Sequence, residues 1–310
     1  MTEIPHYTAG EIFAFGMEKT ISALKTSAAT NDQPIPREHI PLDQGEDFLL
    51  MPAVSQTGLG IKLVTVMAQN PAIGLPLVHG FYLYCDKKTG VPKATFEGSA
   101  LTTLRTPAAS AVATEVLATE SIQNLGIFGT GVQARGHIES MLTVRPNIEK
   151  IFISGTTRES TEKFIDSLTI KDQKIHVGSP EETAACDLVC SCTSSKEPVI
   201  PTKSVKPGAH LNLIGSFSDA QKEADSELIQ NAEIFVDHRT AAKEEAGELI
   251  TAELEENWSF DEIIGDFSQL IQGKVNRSSS ESITLFKSVG FATWDLIVAE
   301  TIYNLSLIHI

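Results

Sequence analysis

Two hydrophobic rhythms divide the chain. Between residues 47 and 97 the apolar positions come in short runs: FLLMPAV, IKLVTVMA, LVHGFYLYCD and PKATFEG. The turn signals QTGLG, NPAIG and KKTG separate them, so each run predicts a strand. Strands with no helix between them predict an antiparallel or mixed sheet. Upstream, AGEIFAFGMEKTISALK has helical spacing, and NDQPIPREHIPLDQGEDF is a polar, proline-bearing connection. The character changes at TPAASAVATEVLATE. There Thr106 stands at an N-cap position, Pro107 at the first helical position and alanines fill the body, which predicts a helix beginning at that point. Beyond it strand and helix alternate. NLGIFG is followed by VQARGHIESMLTV and KIFISG by RESTEKFIDSL, with further strands at KIHVG, DLVCSCT, HLNLIGS and EIFVDH. That alternation predicts a parallel sheet with crossover helices. The end, VGFATWDLIVAETIYNL, predicts a long amphipathic helix.

Composition narrows the class. A chain of 310 residues with 42% apolar and 21% charged positions can bury a sizeable core in one large or two ordinary domains. A net charge of −16 repels phosphate backbones and anionic membranes, which argues against nucleic acid or a membrane as partner. The first residues lack the pattern of a secretory signal, and no apolar run approaches the ~18 residues of a membrane span, so a soluble cytoplasmic protein is expected. Of the four cysteines, Cys186, Cys190 and Cys192 fall in CDLVCSC. Without a C-x-x-C pair or a nearby histidine they predict reduced thiols in a strand, and no metal site. His210 reads as a structural histidine, and the run EEAGELITAELEEN as a solvated helical face.

The candidate chemistry begins at GIFGTGVQARGH. Gly129-x-Gly131-x-x-Ala134 follows an apolar strand and opens a helix at the start of a βαβ unit, the context a dinucleotide-binding loop requires. Gly129 permits the turn, Gly131 lets backbone approach a pyrophosphate, and the free N–H groups of the helix start meet its charge. Gly129, Thr130, Gly131, Val132 and Gln133 are therefore candidate cofactor contacts. The second strand ends in Ser154 and Gly155, without the acid that holds the ribose 2′-hydroxyl of NAD. Thr156, Thr157 and Arg158 follow and suit a 2′-phosphate, so NADP(H) is favoured, with NAD(H) as the alternative; Glu149 precedes the strand and reads as a turn residue. Two cations stand in unusual places. Lys62 interrupts an apolar strand, which means either an edge strand with the ammonium in solvent or a lysine held near an anionic or carbonyl substrate. Arg105 immediately precedes the helix expected at Pro107, where the helix dipole does not favour a cation but a bound anion would satisfy both.

Taken together, LLMPAVS, GLGIKLVTV, NPAIGLP, TGVPKATFEGSALTTLRTPAASAVA, GIFGTGVQARGH, KPGAHLNLIGS, VDHRTAAKEEAGEL and LFKSVGFATWD resemble the ornithine cyclodeaminase/mu-crystallin family over most of the chain. The resemblance implies an α/β homodimer with a Rossmann dinucleotide-binding domain at 119–290. Residues 1–118 with 291–310 would form a smaller α+β domain for substrate binding and dimerisation. It also implies hydride transfer between a nicotinamide and the α-carbon of a small amino or imino acid. Carried over by residue, Lys62 becomes the catalytic lysine, and Arg37, Met51, Lys62 and Arg105 the substrate contacts. Thr106, Thr193, Ser194, Ile214, Gly215, Ser288 and Gly290 would join the glycine loop around the cofactor. Ornithine cyclodeaminases of this family carry an acid after the equivalent of LNLIG, where this chain has Phe217, with Asp219 two residues on. That departure favours a ketimine reductase or amino-acid dehydrogenase. The alternatives are an ornithine cyclodeaminase that recycles NAD and a cofactor-dependent small-ligand-binding protein of mu-crystallin type.

Overall fold

The short apolar runs form strands as their period-2 pattern requires. A computed structural model describes residues 3–27, 35–43, 46–170, 172–255 and 258–308. Part of the polar connection, residues 31–34 and 44–45, and Glu256 and Asn257 of the acidic run lie outside them. The chain divides into two units, residues 1–109 with 291–310, and residues 110–290.

In the first unit the described strands are β1 (His6–Tyr7), β2 (Glu38–Pro41), β3 (Asp47–Val54), β4 (Gly58–Val66), β5 (Val78–Asp86) and β6 (Pro92–Glu97). They lie in the order β1-β6-β5-β4-β3-β2. All neighbours are antiparallel except the β1–β6 pair, so the sheet is mixed. Helices α1 (Ala9–Phe15) and α2 (Met17–Ser27) replace one helical stretch, because Gly16 turns the chain at φ +88°. The C-terminal helix Ala292–Ile308 packs across β3, β4 and β5 and against α2. Register places Met51 opposite Lys62, Lys62 opposite Tyr82 and Tyr82 opposite Phe96, a buried row across the sheet's inner face. The glycines of GLG make this row fit: a Cβ on Gly60 would stand 1.8 Å from the Tyr82 hydroxyl, and one on Gly58 2.6 Å from the Tyr84 ring.

The helix expected to start at Pro107 starts nine residues earlier. Helix α3 spans Gly98–Leu117 and carries Pro107 in its interior. Its cap is the last residue of β6: the Glu97 carboxylate accepts from the N–H groups of Ser99 at 3.1 Å and Ala100 at 2.5 Å. Thr106 is therefore not an N-cap, and Arg105 lies within the helix rather than beside its end. Proline is tolerated there at the cost of one helical hydrogen bond.

The second unit carries eight described strands, β7 (Asn124–Phe128), β8 (Lys150–Ser154), β9 (Lys174–Val177), β10 (Leu188–Ser191), β11 (His210–Leu213), β12 (Ala232–Val236), β13 (Gly265–Asp266) and β14 (Ile283–Lys287). Every pair is parallel, in the order β13-β12-β14-β11-β10-β7-β8-β9. Helices α4 (Val132–Val144), α5 (Arg158–Asp166), α6 (Pro180–Ala184), α7 (Ser226–Asn231), α8 (Arg239–Glu245), α9 (Gly247–Leu254) and α10 (Phe267–Ile271) make the crossovers; the C-terminal helix is α11. This is a Rossmann sheet. Its order reverses between β7 and β10, and ligands of such sheets bind at the carboxyl ends beside that switch point. The acidic run is not a solvated face throughout, since α9 buries Gly247, Glu248, Leu249 and Ala252.

Candidate active site

Lys62 is the centre of the first unit's candidate site. It sits on β4, an interior strand, and 2% of it is exposed, which removes the solvent-facing edge-strand reading. Its Nζ donates to Asp295 Oδ2 at 2.8 Å and to Thr102 Oγ1 at 3.0 Å. Arg105 donates from Nε to Asp295 Oδ1 at 3.2 Å, and its guanidinium lies 5.7 Å from the Trp294 ring centroid. A single buried carboxylate thus holds two buried cations. Burial pushes the Lys62 ammonium down to about 8; Arg105 and Arg37 push the same way, and Asp295 opposes them. Burial raises the Asp295 carboxyl, but Arg105 and Lys62 outweigh it and hold it below its ordinary value. The cluster keeps one net positive charge, and Arg105 Nη1 is buried without a hydrogen-bond partner. An anion is the chemical complement of that arrangement.

The structure brings Arg37, Met51, Lys62 and Arg105 into one neighbourhood. Met51 is the cross-strand neighbour of Lys62, and half-buried Arg37 acts on the ammonium through its charge. Thr106 is buried on α3. Asp295 was missed by sequence reasoning, although an acid in the apolar stretch TWDLIVA was the signal.

In the second unit the glycine loop has the geometry of a phosphate cradle. Gly129 adopts φ +104°, and a Cβ there would stand 2.8 Å from the Cys192 carbonyl. Gly131 is the N-cap of α4 and supplies no side chain to its first N–H groups; a Cβ on it would meet nothing within 4 Å. The space over the helix start is open, as an incoming pyrophosphate needs. Val132 is 66% exposed beside it. The first turn is fixed from below: His137 Nδ1 lies 2.8 Å from the Gln133 carbonyl and its Nε2 2.9 Å from Ser110 Oγ. Gly155 packs its Cα against Thr130 and Thr161, so the end of β8 closes on the loop. Thr156 and Arg158 are exposed just beyond, Arg158 in a 2.8 Å surface pair with Glu162.

The remaining positions cluster at the carboxyl ends of β10, β11 and β14. Thr193 is half-buried and Ser194 exposed. Gly215 lies so close to Thr193 that a Cβ would stand 1.9 Å from its carbonyl, and Ile214 is buried behind it. Asp237, at the end of β12, accepts from Ser288 Oγ and from the N–H groups of Val289 and Gly290, each at 2.8–2.9 Å. Phe217 and Asp219 are exposed on the loop after β11. His210 is buried, with Nδ1 2.8 Å from Thr284 Oγ1. The cysteines are free, and the described residues contain no metal-holding group of His, Cys, Asp and Glu.

The sequence model of the ornithine cyclodeaminase/mu-crystallin family matches residues 14–307. The chain belongs to that family. A Δ1-pyrroline-2-carboxylate reductase of Bacillus cereus is 36% identical over 98% of this chain and 92% of its own. The ketimine reductase mu-crystallin of Mus musculus is 32% identical over 88% of this chain and 84% of its own. The solved structure of Thermococcus litoralis Δ1-pyrroline-2-carboxylate reductase, in complex with NADH and L-proline, superimposes with a TM-score of 0.92 at 29% identity, covering 99% of this chain and 98% of that one. Within the ornithine cyclodeaminase/mu-crystallin family this chain has a buried lysine–aspartate–arginine cluster in one unit and a complete glycine loop in the other.

Proposed function

We propose that this family member is an NAD(P)H-dependent reductase of small α-imino acids, of the Δ1-pyrroline-2-carboxylate type. The observation that carries the reading is the Lys62–Asp295–Arg105 cluster: a buried net positive charge with an unpartnered Arg105 Nη1 and an ammonium that titrates near 8. Arg105 receives the substrate carboxylate at Nη1, with Arg37 adding charge and Met51 an apolar wall. Below pH 8 Lys62 Nζ holds the proton that the imine nitrogen takes on becoming an amine. Asp295 holds both cations in place. Bound NAD(P)H supplies the hydride to the imine carbon, completing the two-electron reduction. The open space over Gly131 suits its pyrophosphate.

NADP(H) is the preferred coenzyme in this reading. Its 2′-phosphate would meet Thr156 and the exposed Arg158 after an acid-free strand end, with NAD(H) as the weaker alternative. Thr106, Thr193, Ser194, Ile214, Gly215, Ser288 and Gly290 complete the proposed cofactor contacts. A second copy of the chain is proposed for the outer face of the six-stranded sheet, where Phe81 is 43% exposed, with Ile73, Leu75 and Leu77, 45–72% exposed, nearby. The reaction is assigned to the cytoplasm, in keeping with four free thiols. No helix of the described residues is long and apolar enough to cross a membrane.

The test is oxidation of NADPH and of NADH with Δ1-pyrroline-2-carboxylate, Δ1-piperideine-2-carboxylate, and pyruvate plus ammonia, alongside ornithine with an ammonia readout. Imine-dependent oxidation is expected. Ammonia and proline from ornithine without net cofactor change would replace this reading by cyclodeamination, with Asp219 standing in for the acid absent at Phe217. Saturable ligand binding with no turnover would replace it by a binding protein.

A further inference from the structure

The Rossmann unit buries a carboxylate that the glycine loop does not account for. Glu223, fully buried, ties together the carboxyl ends of β10 and β11. One oxygen accepts from Ser191 Oγ at 2.6 Å, Thr193 N–H at 2.7 Å and Thr193 Oγ1 at 2.9 Å. The other accepts from the N–H groups of Gly215 at 2.7 Å and Ser216 at 3.3 Å. Ser216 continues the network: its hydroxyl donates to Glu248 at 2.7 Å, and Lys287 Nζ reaches its carbonyl at 2.7 Å and Glu248 at 3.0 Å. Lys287 pairs directly with Glu248 and acts on Glu223 only through its charge.

Burial raises the Glu223 carboxyl above its ordinary value and the Glu248 charge adds to the rise, while Lys287, Ser191 and Thr193 oppose it. Three backbone N–H groups and two hydroxyls aimed at its two oxygens each need a lone pair, and they favour the ionised form. The network thus leaves a negative charge beneath Thr193 and Gly215. These lie on the β10–β11 side of the switch point, while the glycine loop and the end of β8 lie on the other. A dinucleotide with its pyrophosphate at α4 and its adenosine half over β8 places its nicotinamide half over β10 and β11. The oxidised ring carries a positive charge and the reduced ring does not.

We propose that Glu223 is a positioning residue for the nicotinamide half of the cofactor, and that its charge makes the cleft favour the oxidised over the reduced ring. This rests on the dinucleotide-dependent reductase reading. Glu223 fixes Thr193 and Gly215 before cofactor arrives, so its removal loosens both redox forms; its charge acts on one form alone.

The test is the dissociation constant of the reduced cofactor, by fluorescence titration, and of the oxidised cofactor, by competition, for the full chain and for Glu223→Gln and Glu223→Asp. Glu223→Gln is expected to weaken the reduced form roughly tenfold, as expected when a charged hydrogen-bond acceptor is lost. The oxidised form should lose a further factor of about three or more, because the attraction to its ring charge disappears as well. Glu223→Asp, which keeps the charge but draws it back, should weaken both forms equally and leave their ratio as in the wild type. Wild-type binding of both forms by Glu223→Gln, or an equal loss for both, overturns the proposal. If Glu223→Gln does not fold, Glu223→Asp decides: unchanged affinities remove the positioning role, and a changed ratio removes the charge argument. A wild-type chain that binds neither form sinks the reductase reading and this inference with it. A wild-type chain that binds both, with variants that bind as it does, sinks this inference alone.

Discussion

Asp295→Asn isolates the feature on which the proposed site depends. The side chain keeps its shape and loses the charge that pairs with Lys62 at 2.8 Å and Arg105 at 3.2 Å, both buried. Removing one member of a buried ionic cluster typically costs about 3–5 kcal/mol, because the remaining charges are left uncompensated. Lys62 has an escape that Arg105 lacks: it can shed its proton. In the wild type its value is already depressed from 10.5 to about 8, by burial first, with Arg105 and Arg37 adding to the effect. A depressed lysine makes the unfolded chain the better proton binder, so wild-type stability should rise with pH from about 8 to 10.5. It is lower by about 3 kcal/mol below that window than above it. Asp295 is the group that holds the value up, so the asparagine variant moves it further down. Each factor of ten in that affinity costs the folded variant about 1.4 kcal/mol at pH 6 and nearly nothing at pH 9, where Lys62 is largely neutral in both proteins.

The expected result is a destabilisation about 1–3 kcal/mol larger at pH 6 than at pH 9. Urea unfolding at the two pH values, followed by circular dichroism, measures it. Equal losses at both would mean that Lys62 does not titrate against Asp295, and the argument for a proton held near pH 8 would fail with it.

Three further outcomes test the assignments. Lys62→Met should lower imine-dependent kcat/KM by roughly 10²–10⁴ while unfolding stability at pH 7 stays within about 1 kcal/mol of wild type or rises, since Asp295 retains Arg105; full turnover would remove the proton role. Gly131→Ala and Gly129→Ala should part company. A Cβ at 131 enters open space and should block cofactor binding in a titration without lowering Tm, whereas one at 129, at φ +104° and 2.8 Å from the Cys192 carbonyl, should lower Tm outright. Arg158→Gln should raise KM for NADPH about tenfold and leave that for NADH and the Tm unchanged, because its pair with Glu162 is exposed; parallel changes for both coenzymes would refute a 2′-phosphate contact.

The sequence was most legible where period and punctuation agree. The antiparallel strands, the parallel βαβ half and the loop at 129–134 each carry their own signal, and the sheet orders follow that pattern. Where a local signal competed with a tertiary one, the local signal misled. Thr106–Pro107 is a good helix start on its own, yet the Glu97 carboxylate caps the chain nine residues earlier, and the helix then runs through the proline. The acidic run looks solvated because acids usually are, but Glu248 is placed inward by the apolar Leu249 and Ala252 beside it and held there by Lys287.

Buried charges mark the limit of such reading. Lys62 in an apolar strand is visible as an anomaly, and so is Asp295 in an apolar helix. What the chain does not display is that each is the other's explanation, because 233 residues separate them. Desolvation makes an unpaired charge in the core too costly to keep, so two anomalies of opposite sign in elements that pack on one another are best read as a pair. Applied to the second unit, the same rule joins Lys287 to Glu248 and leaves Glu223 over, a carboxylate with no cation of its own at the end of the strands where a cofactor would lie. In each unit the charge left unmatched is the one exposed to a ligand's choice: positive around Lys62 and Arg105, which calls for a carboxylate, and negative beneath Thr193 and Gly215, which calls for a cationic ring.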